Sequence, residues 1–194
     1  YVSIVYLGDG AMEEGAVQES LNLAKVQNLP VIFIVENNLF ASHMDITLRQ
    51  PDQFTSRFAV ANKIDNYCID GNDVALVKKT SKKLIDNARN FFEPGFLEVI
   101  TYRWYGHVDW REDIDVGIKR SRIDINNWKK RDPIKRLKLA LIDKKLWSDE
   151  EDKNLYKNLS VEMDESWDKA FQSPCQTKDQ LLKNIYATSK EKNE

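Results

Sequence analysis

The 194-residue chain carries 29 basic and 31 acidic residues, which gives a net charge of −2. This balance gives no reason to expect binding to nucleic acid or to a membrane surface, and the apolar runs are too short to span a bilayer. The only cysteines, Cys68 and Cys175, offer no disulfide framework and fit a reducing compartment, so we expect a cytoplasmic protein, or a mitochondrial matrix protein if the source is eukaryotic.

The first predicted unit is a strand, a helix and a second strand. Residues 2–7 form a β-branched apolar run of strand length, the spacing of apolar residues predicts a helix over 13–28, and residues 31–35 form another apolar run. Glu13 and Glu14 fall in the first turn of the predicted helix, where the macrodipole favours acidic side chains. Continuous apolar strands joined by a helix are typical of a buried parallel βαβ unit.

Polar residues follow both strands. Gly8-Asp9-Gly10 ends the first and Glu36-Asn37-Asn38 ends the second. Parallel neighbours place their carboxyl ends at one sheet edge, so we expect Asp9 and Asn38 to converge. Taken singly, each segment is more often an ordinary turn or strand end. Together, a carboxylate, an amide oxygen and a carbonyl of the next loop suit Mg²⁺, with ligand phosphates over the amino end of the helix.

Helix and strand continue to alternate further along the chain. We predict a loop over 39–51, a short helix over 54–61, a strand-to-turn segment over 68–73 and a helix capped by Asp73. A third apolar strand is predicted over 96–102. Its polar end is expected at the same sheet edge as those of the first two strands.

The composition becomes strongly charged over residues 108–131, and we expect this segment to be a mobile loop next to the candidate site. Beyond it, helices are predicted to begin at Asp132-Pro133, at a Ser148 capping box and at Thr177. Their apolar stripes are more typical of core or subunit interface than of cofactor contact. The first is expected to bury Ile134, Leu137 and Leu141; the second carries Leu155, Leu159, Met163, Trp167 and Phe171; the third carries Leu181, Leu182 and Ile185.

Two domains follow from this pattern. We predict an α/β diphosphate-binding domain over 1–131, including the loop 108–131, and a C-terminal helical appendage over 132–194. The chain enters a core strand directly after Tyr1. We therefore expect the N-terminal part of the domain to be missing.

Gly8-Asp9-Gly10, twenty-six further residues and Asn37-Asn38 resemble the thiamine diphosphate fingerprint. Other segments resemble the alpha subunit of 2-oxo acid dehydrogenases, such as those acting on pyruvate, branched-chain oxo acids or acetoin. The resemblance extends to about residue 142 and implies the thiamine diphosphate-binding fold, a parallel sheet flanked by helices. Its further matches are Glu14-Gly15, Asn22-Leu23-Ala24, Leu29-Pro30-Val31, Asp70-Gly71-Asn72-Asp73, Thr101-Tyr102-Arg103, Gly106-His107 and Asp132-Pro133-Ile134.

The resemblance also implies which residues bind the cofactor. Asp9 and Asn38 would bind Mg²⁺ through their side chains, and Phe40 through its carbonyl. His107 would lie at the reacting end as a catalytic residue, and Arg103 would reach the diphosphate or brace the loop. On residue type alone, a structural histidine and a surface ion pair remain alternatives for these last two. The implied cofactor-binding set is Gly8, Asp9, Gly10, Ala11, Asn38, Phe40, Arg103 and His107.

The implied reaction is oxidative decarboxylation of a 2-oxo acid, with transfer of the acyl group to a lipoyl-bearing acyltransferase. A separate beta subunit would carry the glutamate that activates the cofactor, in a heterotetramer. Tyr105 replaces a frequent histidine, and Val108 a frequent serine, so control by phosphorylation of that serine is not expected. Two alternatives stay open: a transketolase-like enzyme that does not decarboxylate, and a truncated, catalytically silent assembly subunit.

Overall fold

The computed structural model describes residues 1–108, 120–181 and 183. The chain divides into two compact units, Tyr1–Asp143 and Lys144–Glu194. In chain order, the helices and strands of the first unit are β1 (Ser3–Gly8), α1 (Gly15–Val26), β2 (Val31–Asn37), β3 (Phe40–Ala41), β4 (Met44–Asp45), α2 (Ser56–Ala61), β5 (Asp65–Asp70), α3 (Val74–Phe91), β6 (Gly95–Ile100), α4 (Arg122–Lys129) and α5 (Pro133–Asp143).

Four strands of the first unit form a parallel sheet in the order β1-β2-β6-β5, and β3 pairs with β4 in a separate hairpin. Successive residues of β2 face opposite sides of this sheet. Phe33 and Val35 pack in the core that contains residues of α1 and α2, whereas Ile32 and Ile34 pack against α3. Both faces of β2 and β6 are covered, which explains why these two strands are almost continuously apolar rather than alternating. The expected burial of the first strand is wrong: β1 lies at the edge of the sheet, and Ile4, Val5 and Tyr6 are exposed. The predicted α/β fold with a parallel sheet flanked by helices is confirmed.

The segment between β1 and α1 differs from the prediction. Ala11–Glu13 form a 3₁₀ turn, and α1 begins only at Gly15, with Glu14 as an extended N-cap residue. The expected place of both glutamates in the first helical turn is therefore wrong. The physical reason is Met12, which the turn inserts fully into the core, while the Gln18 side chain donates a hydrogen bond to the Met12 carbonyl at 2.9 Å.

The predicted loop over 39–51 contains ordered structure. It holds the hairpin of β3 and β4, followed by a 3₁₀ turn over Ile46–Leu48. Leu39 and Ser42 reach this geometry with positive φ values of 70° and 51°. Non-glycine residues seldom adopt that conformation, so the local sequence does not indicate a hairpin.

The predicted loop over 108–131 also needs correction. Residues 122–129 form α4, whose N-cap Ser121 accepts a hydrogen bond from the Asp124 amide at 3.3 Å. Serine is a preferred N-cap residue, so the helix signal was present but was outweighed by the charged composition. Residues 109–119 lie outside the described part of the chain.

The boundary after Asp143 lies later than the predicted boundary after Arg131, because α5 packs against α3 within the first unit. Asp70, at the end of β5, pairs with Arg131 at 2.9 Å and with Arg136 of α5 at 2.8 Å. The expected burial of the α5 apolar face is wrong, since none of its residues is buried and Ile134 is 67% exposed. Ion pairs contribute to the attachment of this helix, while Leu137 and Leu141 are only half-buried.

We expect Asp70→Asn to destabilise the first unit in a pH-dependent way. Burial alone raises the pKa of Asp70, but hydrogen bonds from Arg136 and Arg131 lower this pKa below its ordinary value. The charged carboxylate therefore stabilises the folded state above the unfolded pKa of about 4, and this contribution disappears as the pH falls through the folded pKa.

Urea unfolding should show a loss of about 1 kcal/mol in the variant at neutral pH. The difference between variant and parent should vanish in acid. Asp143→Asn, at the end of α5, is the matched control. A pH-independent difference would contradict the assignment of these ion pairs.

The described residues of the second unit contain one long helix. Helix α6 (Asp149–Gln172) begins as predicted after Ser148, whose hydroxyl accepts a hydrogen bond from the Glu151 amide at 3.2 Å. A 3₁₀ turn over Lys178–Gln180 carries the capping box of Thr177 and Gln180, and Leu182 and Ile185 of the predicted last helix lie outside the described residues. The α6 apolar stripe is exposed. Within the described ranges no helix is long and apolar enough to cross a membrane.

Candidate active site

The strand register places three polar strand ends at one edge of the sheet. Gly8 pairs with Glu36, and Asn37 pairs with Ile100, in parallel neighbours. The residues that follow these strands, among them Asp9, Asn38 and Arg103, therefore leave the sheet at the same edge. The expected common edge is confirmed, and it is where open α/β folds bind ligands.

Asp9 is a buried carboxylate, with 1% of the residue exposed. Its Oδ2 pairs with Arg49 Nη2, and Arg49 Nη1 pairs with Glu13 Oε1. The arginine side chain is itself 7% exposed. One guanidinium thus bridges two carboxylates, and it places positive charge against Asp9, the carboxylate that the sequence predicts as a metal ligand.

Asn38 and Phe40 lie in the turn that leads into the hairpin. Asn38 Oδ1 accepts a hydrogen bond from the Phe40 amide at 3.1 Å, and Asn37 Oδ1 accepts one from the Leu39 amide at 3.0 Å. The Phe40 ring meets the Tyr102 ring edge-on, with centroids 6.0 Å apart. Two successive side-chain-to-backbone hydrogen bonds thus fix the backbone that carries the predicted amide and carbonyl ligands.

Gly10 allows close contact between the first turn and the hairpin. A Cβ atom placed on Gly10 would lie 2.6 Å from the Ala41 Cβ, whereas nothing lies within 4 Å of one placed on Gly8. Since α1 begins at Gly15, the helix amino end does not follow directly on Gly10 and Ala11 as expected. The backbone there belongs instead to the 3₁₀ turn that begins at Ala11.

Glu98, on the central strand β6, fixes the end of β2 through a hydrogen bond. This fully buried residue accepts hydrogen bonds from Asn37 Nδ2 at 2.7 Å and from the amides of Thr55 and Ser56 at 2.8 Å each. Cys68 is an exposed residue, yet desolvation of its thiol by the surrounding atoms, followed by the charge and hydrogen bonding of Glu98, raises the pKa of Cys68 to about 12. Sequence reasoning missed Glu98, although a single acid within an apolar strand was a signal.

Arg103 and His107 lie on the segment after β6. Arg103 Nη2 donates to the Ser42 carbonyl at 2.7 Å, which links this segment to the hairpin. The exposed His107 ring meets the His43 ring edge-on, with centroids 6.4 Å apart. Buried Arg120 donates to the carbonyls of Arg103 at 2.7 Å and of Tyr105 at 2.9 Å. Both histidines of the chain therefore meet at this edge.

The donor set at this edge suits a hard cation held together with a phosphorylated ligand. Asp9 supplies a carboxylate, Asn38 an amide oxygen and Phe40 a backbone carbonyl, and Mg²⁺ commonly takes its other oxygens from phosphates and water. Across the described residues no group of three or more His, Cys, Asp or Glu side chains could hold a metal ion. The proposed set contains one such residue, so it depends on ligand oxygens.

Comparison with known proteins gives consistent matches. The model of the family described as dehydrogenase E1 component matches residues 1–179. Pyruvate dehydrogenase E1 component subunit alpha from Porphyra purpurea is 31% identical, over 96% of this chain and 53% of that protein. The protein of the same name from Bacillus subtilis is 30% identical, over 95% and 49%.

The 3-methyl-2-oxobutanoate dehydrogenase subunit alpha from Mycobacterium tuberculosis is also 30% identical, over 96% of this chain and 50% of that protein. The chain spans about half the length of the curated relatives it matches.

Proposed function

The chain belongs to the dehydrogenase E1 component family, and from this premise we propose that it forms the alpha-subunit part of a 2-oxo acid dehydrogenase. In this proposal it binds Mg²⁺ and thiamine diphosphate at the carboxyl edge of the parallel sheet. The observation that carries the proposal is Asp9, a buried carboxylate that is paired with the guanidinium of Arg49 and directly follows β1, the parallel neighbour of the strand that ends just before Asn38.

The residues divide into a metal-binding set and a diphosphate-binding set. Asp9 and Asn38 would bind Mg²⁺ through side-chain oxygens and Phe40 through its carbonyl, because oxygen ligands are those that Mg²⁺ prefers. The backbone around the glycines accepts the close approach of phosphate oxygens. The residues that would pack against the diphosphate are Gly8, Gly10 and Ala11.

When bound, thiamine diphosphate supplies the carbon nucleophile and the electron sink that decarboxylation of a 2-oxo acid requires. The chain's own residues orient the substrate and move protons. His107 is exposed at the same edge, and an imidazole is a side chain that can act as a proton donor or acceptor. Arg103 holds the segment that carries His107 against the hairpin through the Ser42 carbonyl.

Partners complete the proposed enzyme. A beta subunit would supply the glutamate that activates the cofactor, and a lipoyl-bearing acyltransferase would accept the acyl group. The two-alpha, two-beta heterotetramer is part of this proposal. The exposed stripe on α6 presents apolar side chains such as Met163 and Trp167, which is the kind of surface that subunit interfaces bury.

The proposal is tested by producing the full-length protein with its beta partner and measuring carbon dioxide release from a panel of 2-oxo acids. We expect release from at least one acid. His107→Ala should lower the turnover rate by about a hundredfold, within the usual range for a lost acid–base group, while cofactor affinity stays unchanged. Lys82→Gln, which alters an exposed ion pair on α3, is the control.

Three outcomes would overturn parts of this proposal. Transfer of carbon units between sugars without carbon dioxide release would identify a transketolase-like enzyme. Assembly with the beta subunit but no turnover of any acid would identify a silent subunit. Normal turnover in His107→Ala would remove His107 from the mechanism while leaving the rest of the assignment intact.

A further inference from the structure

Arg49 bridges two carboxylates at this edge of the sheet. It pairs with Asp9, which is almost fully buried, and with Glu13, whose side chain is partly exposed. Its Nε also donates to the Met44 carbonyl at 3.2 Å, which fixes the guanidinium relative to the hairpin. A planar fork of donors is suited to holding two anions at once.

This ion pair lies where the proposed metal must bind. A buried carboxylate is strongly destabilising without a compensating cation, so Asp9 needs positive charge whether or not a metal is present. A divalent ion on the same carboxylate would lie next to the guanidinium, and the two cations would repel each other. Arg49 and the metal are therefore competitors for Asp9.

We propose that Arg49 is an internal cation that neutralises Asp9 until a divalent metal displaces it. This inference rests on the proposed function, because it takes Asp9 as a metal ligand. Binding of the metal is then an exchange of one cation for another. Metal alone should bind weakly, since each binding event must first break a buried ion pair.

The displaced guanidinium has a second role in this proposal. Glu13 retains it near the site, and Arg49 Nη1 lies 3.8 Å from the position that a Cβ atom on Gly10 would occupy. Gly10 is where the diphosphate is proposed to pack, so a guanidinium released from Asp9 is placed to donate to phosphate oxygens. Arg49 would thereby couple metal binding to diphosphate binding.

The test is a measurement of Mn²⁺ affinity by electron paramagnetic resonance, on the full-length protein in its natural assembly, with and without thiamine diphosphate. Arg49→Gln should bind Mn²⁺ alone about tenfold more tightly than the parent, within the usual range of coupling between sites. The gain in Mn²⁺ affinity that thiamine diphosphate produces should be smaller in the variant than in the parent.

Thermal unfolding gives a second readout that does not depend on turnover. The parent should unfold at nearly the same temperature with and without Mn²⁺. Arg49→Gln leaves Asp9 without its cation, so its unfolding temperature should be lower and should rise when Mn²⁺ is added. Arg57→Gln, in an arginine of the same segment that pairs with Gln50 rather than with an acid, is the matched control and should behave as the parent.

Arg49→Lys keeps the charge but loses the fork that spans two carboxylates, so its Mn²⁺ affinity should fall between those of the parent and the glutamine variant. This variant decides the question if Arg49→Gln does not fold.

Equal or weaker Mn²⁺ binding in both variants would overturn the proposal. If Asp9→Asn abolishes Mn²⁺ binding while the Arg49 variants match the parent, the metal site stands and only the Arg49 inference fails. If Asp9→Asn leaves Mn²⁺ binding intact, the proposed metal site fails, and with it the Arg49 inference that rests on it.

Discussion

Asp9→Asn is expected to weaken binding of Mg²⁺ and thiamine diphosphate to the assembled protein by about a hundredfold or more, which corresponds to a loss of about 3 kcal/mol. The substitution keeps the shape of the side chain but removes the negative charge that attracts the metal. Asp9 is the single carboxylate in the proposed metal-binding set, so no neighbouring ligand compensates for that loss. The folded state should persist, because Arg49 retains Glu13 as a partner.

Isothermal titration calorimetry with Mg²⁺ held in excess measures this effect. Asp45→Asn is a suitable control, because Asp45 lies in the hairpin of β3 and β4 and its Oδ1 accepts from the Thr47 amide at 2.8 Å, a role that asparagine can also perform. Unchanged cofactor affinity in Asp9→Asn would remove the metal assignment at this edge of the sheet.

Glu98→Gln is expected to cause the largest loss of stability, about 2–4 kcal/mol. Glu98 accepts hydrogen bonds from three donors, Asn37 Nδ2 and two backbone amides. The NH₂ group of a glutamine in its place would face one of these N–H donors. Two donors would then meet without an acceptor, and both would be buried away from water. The variant should therefore lose the support of the turn that carries Asn38 and Phe40.

Two measurements check this prediction. Urea unfolding gives the loss of stability, with the exposed Glu93→Gln as the matched control. Alkylation of Cys68 gives a local readout in a Cys175→Ser background, because Glu98 contributes to the raised pKa of this thiol, about 12. Removing the charge should lower that pKa and accelerate the reaction at mildly alkaline pH. A variant with parental stability and an unchanged alkylation rate would contradict the role given to Glu98.

The parallel sheet was predictable because its signal is local. The run 31–35 is apolar at every position and β-branched at four of five, which is the pattern of a strand buried on both faces. Asp9 and Asn38 could be placed at one edge for the same reason, since parallel neighbours end together. The roles of these and the other proposed site residues stay predictions.

What escaped prediction depends on contacts between distant segments. Nothing near Arg49 in the sequence indicates that it reaches Asp9, forty positions away. In the sequence, Glu98 is an acidic residue within an apolar strand and has no evident role. Its role becomes clear only in the folded structure, where Asn37 and the start of α2 lie beside it. The hairpin after Asn38 requires positive φ at Leu39 and Ser42, which tertiary structure imposes against local preference.

The hydrogen bond between Asn37 and Glu98 joins residues 61 positions apart, and both are wholly buried. If either side chain is replaced alone, the buried polar group of its partner loses this hydrogen bond. In sequence divergence these two positions should therefore change together or not at all. The same constraint applies to protein design: a strand–helix–strand segment carrying Asp9 and Asn38, transplanted to another parallel sheet, must bring an acid on the neighbouring strand with it.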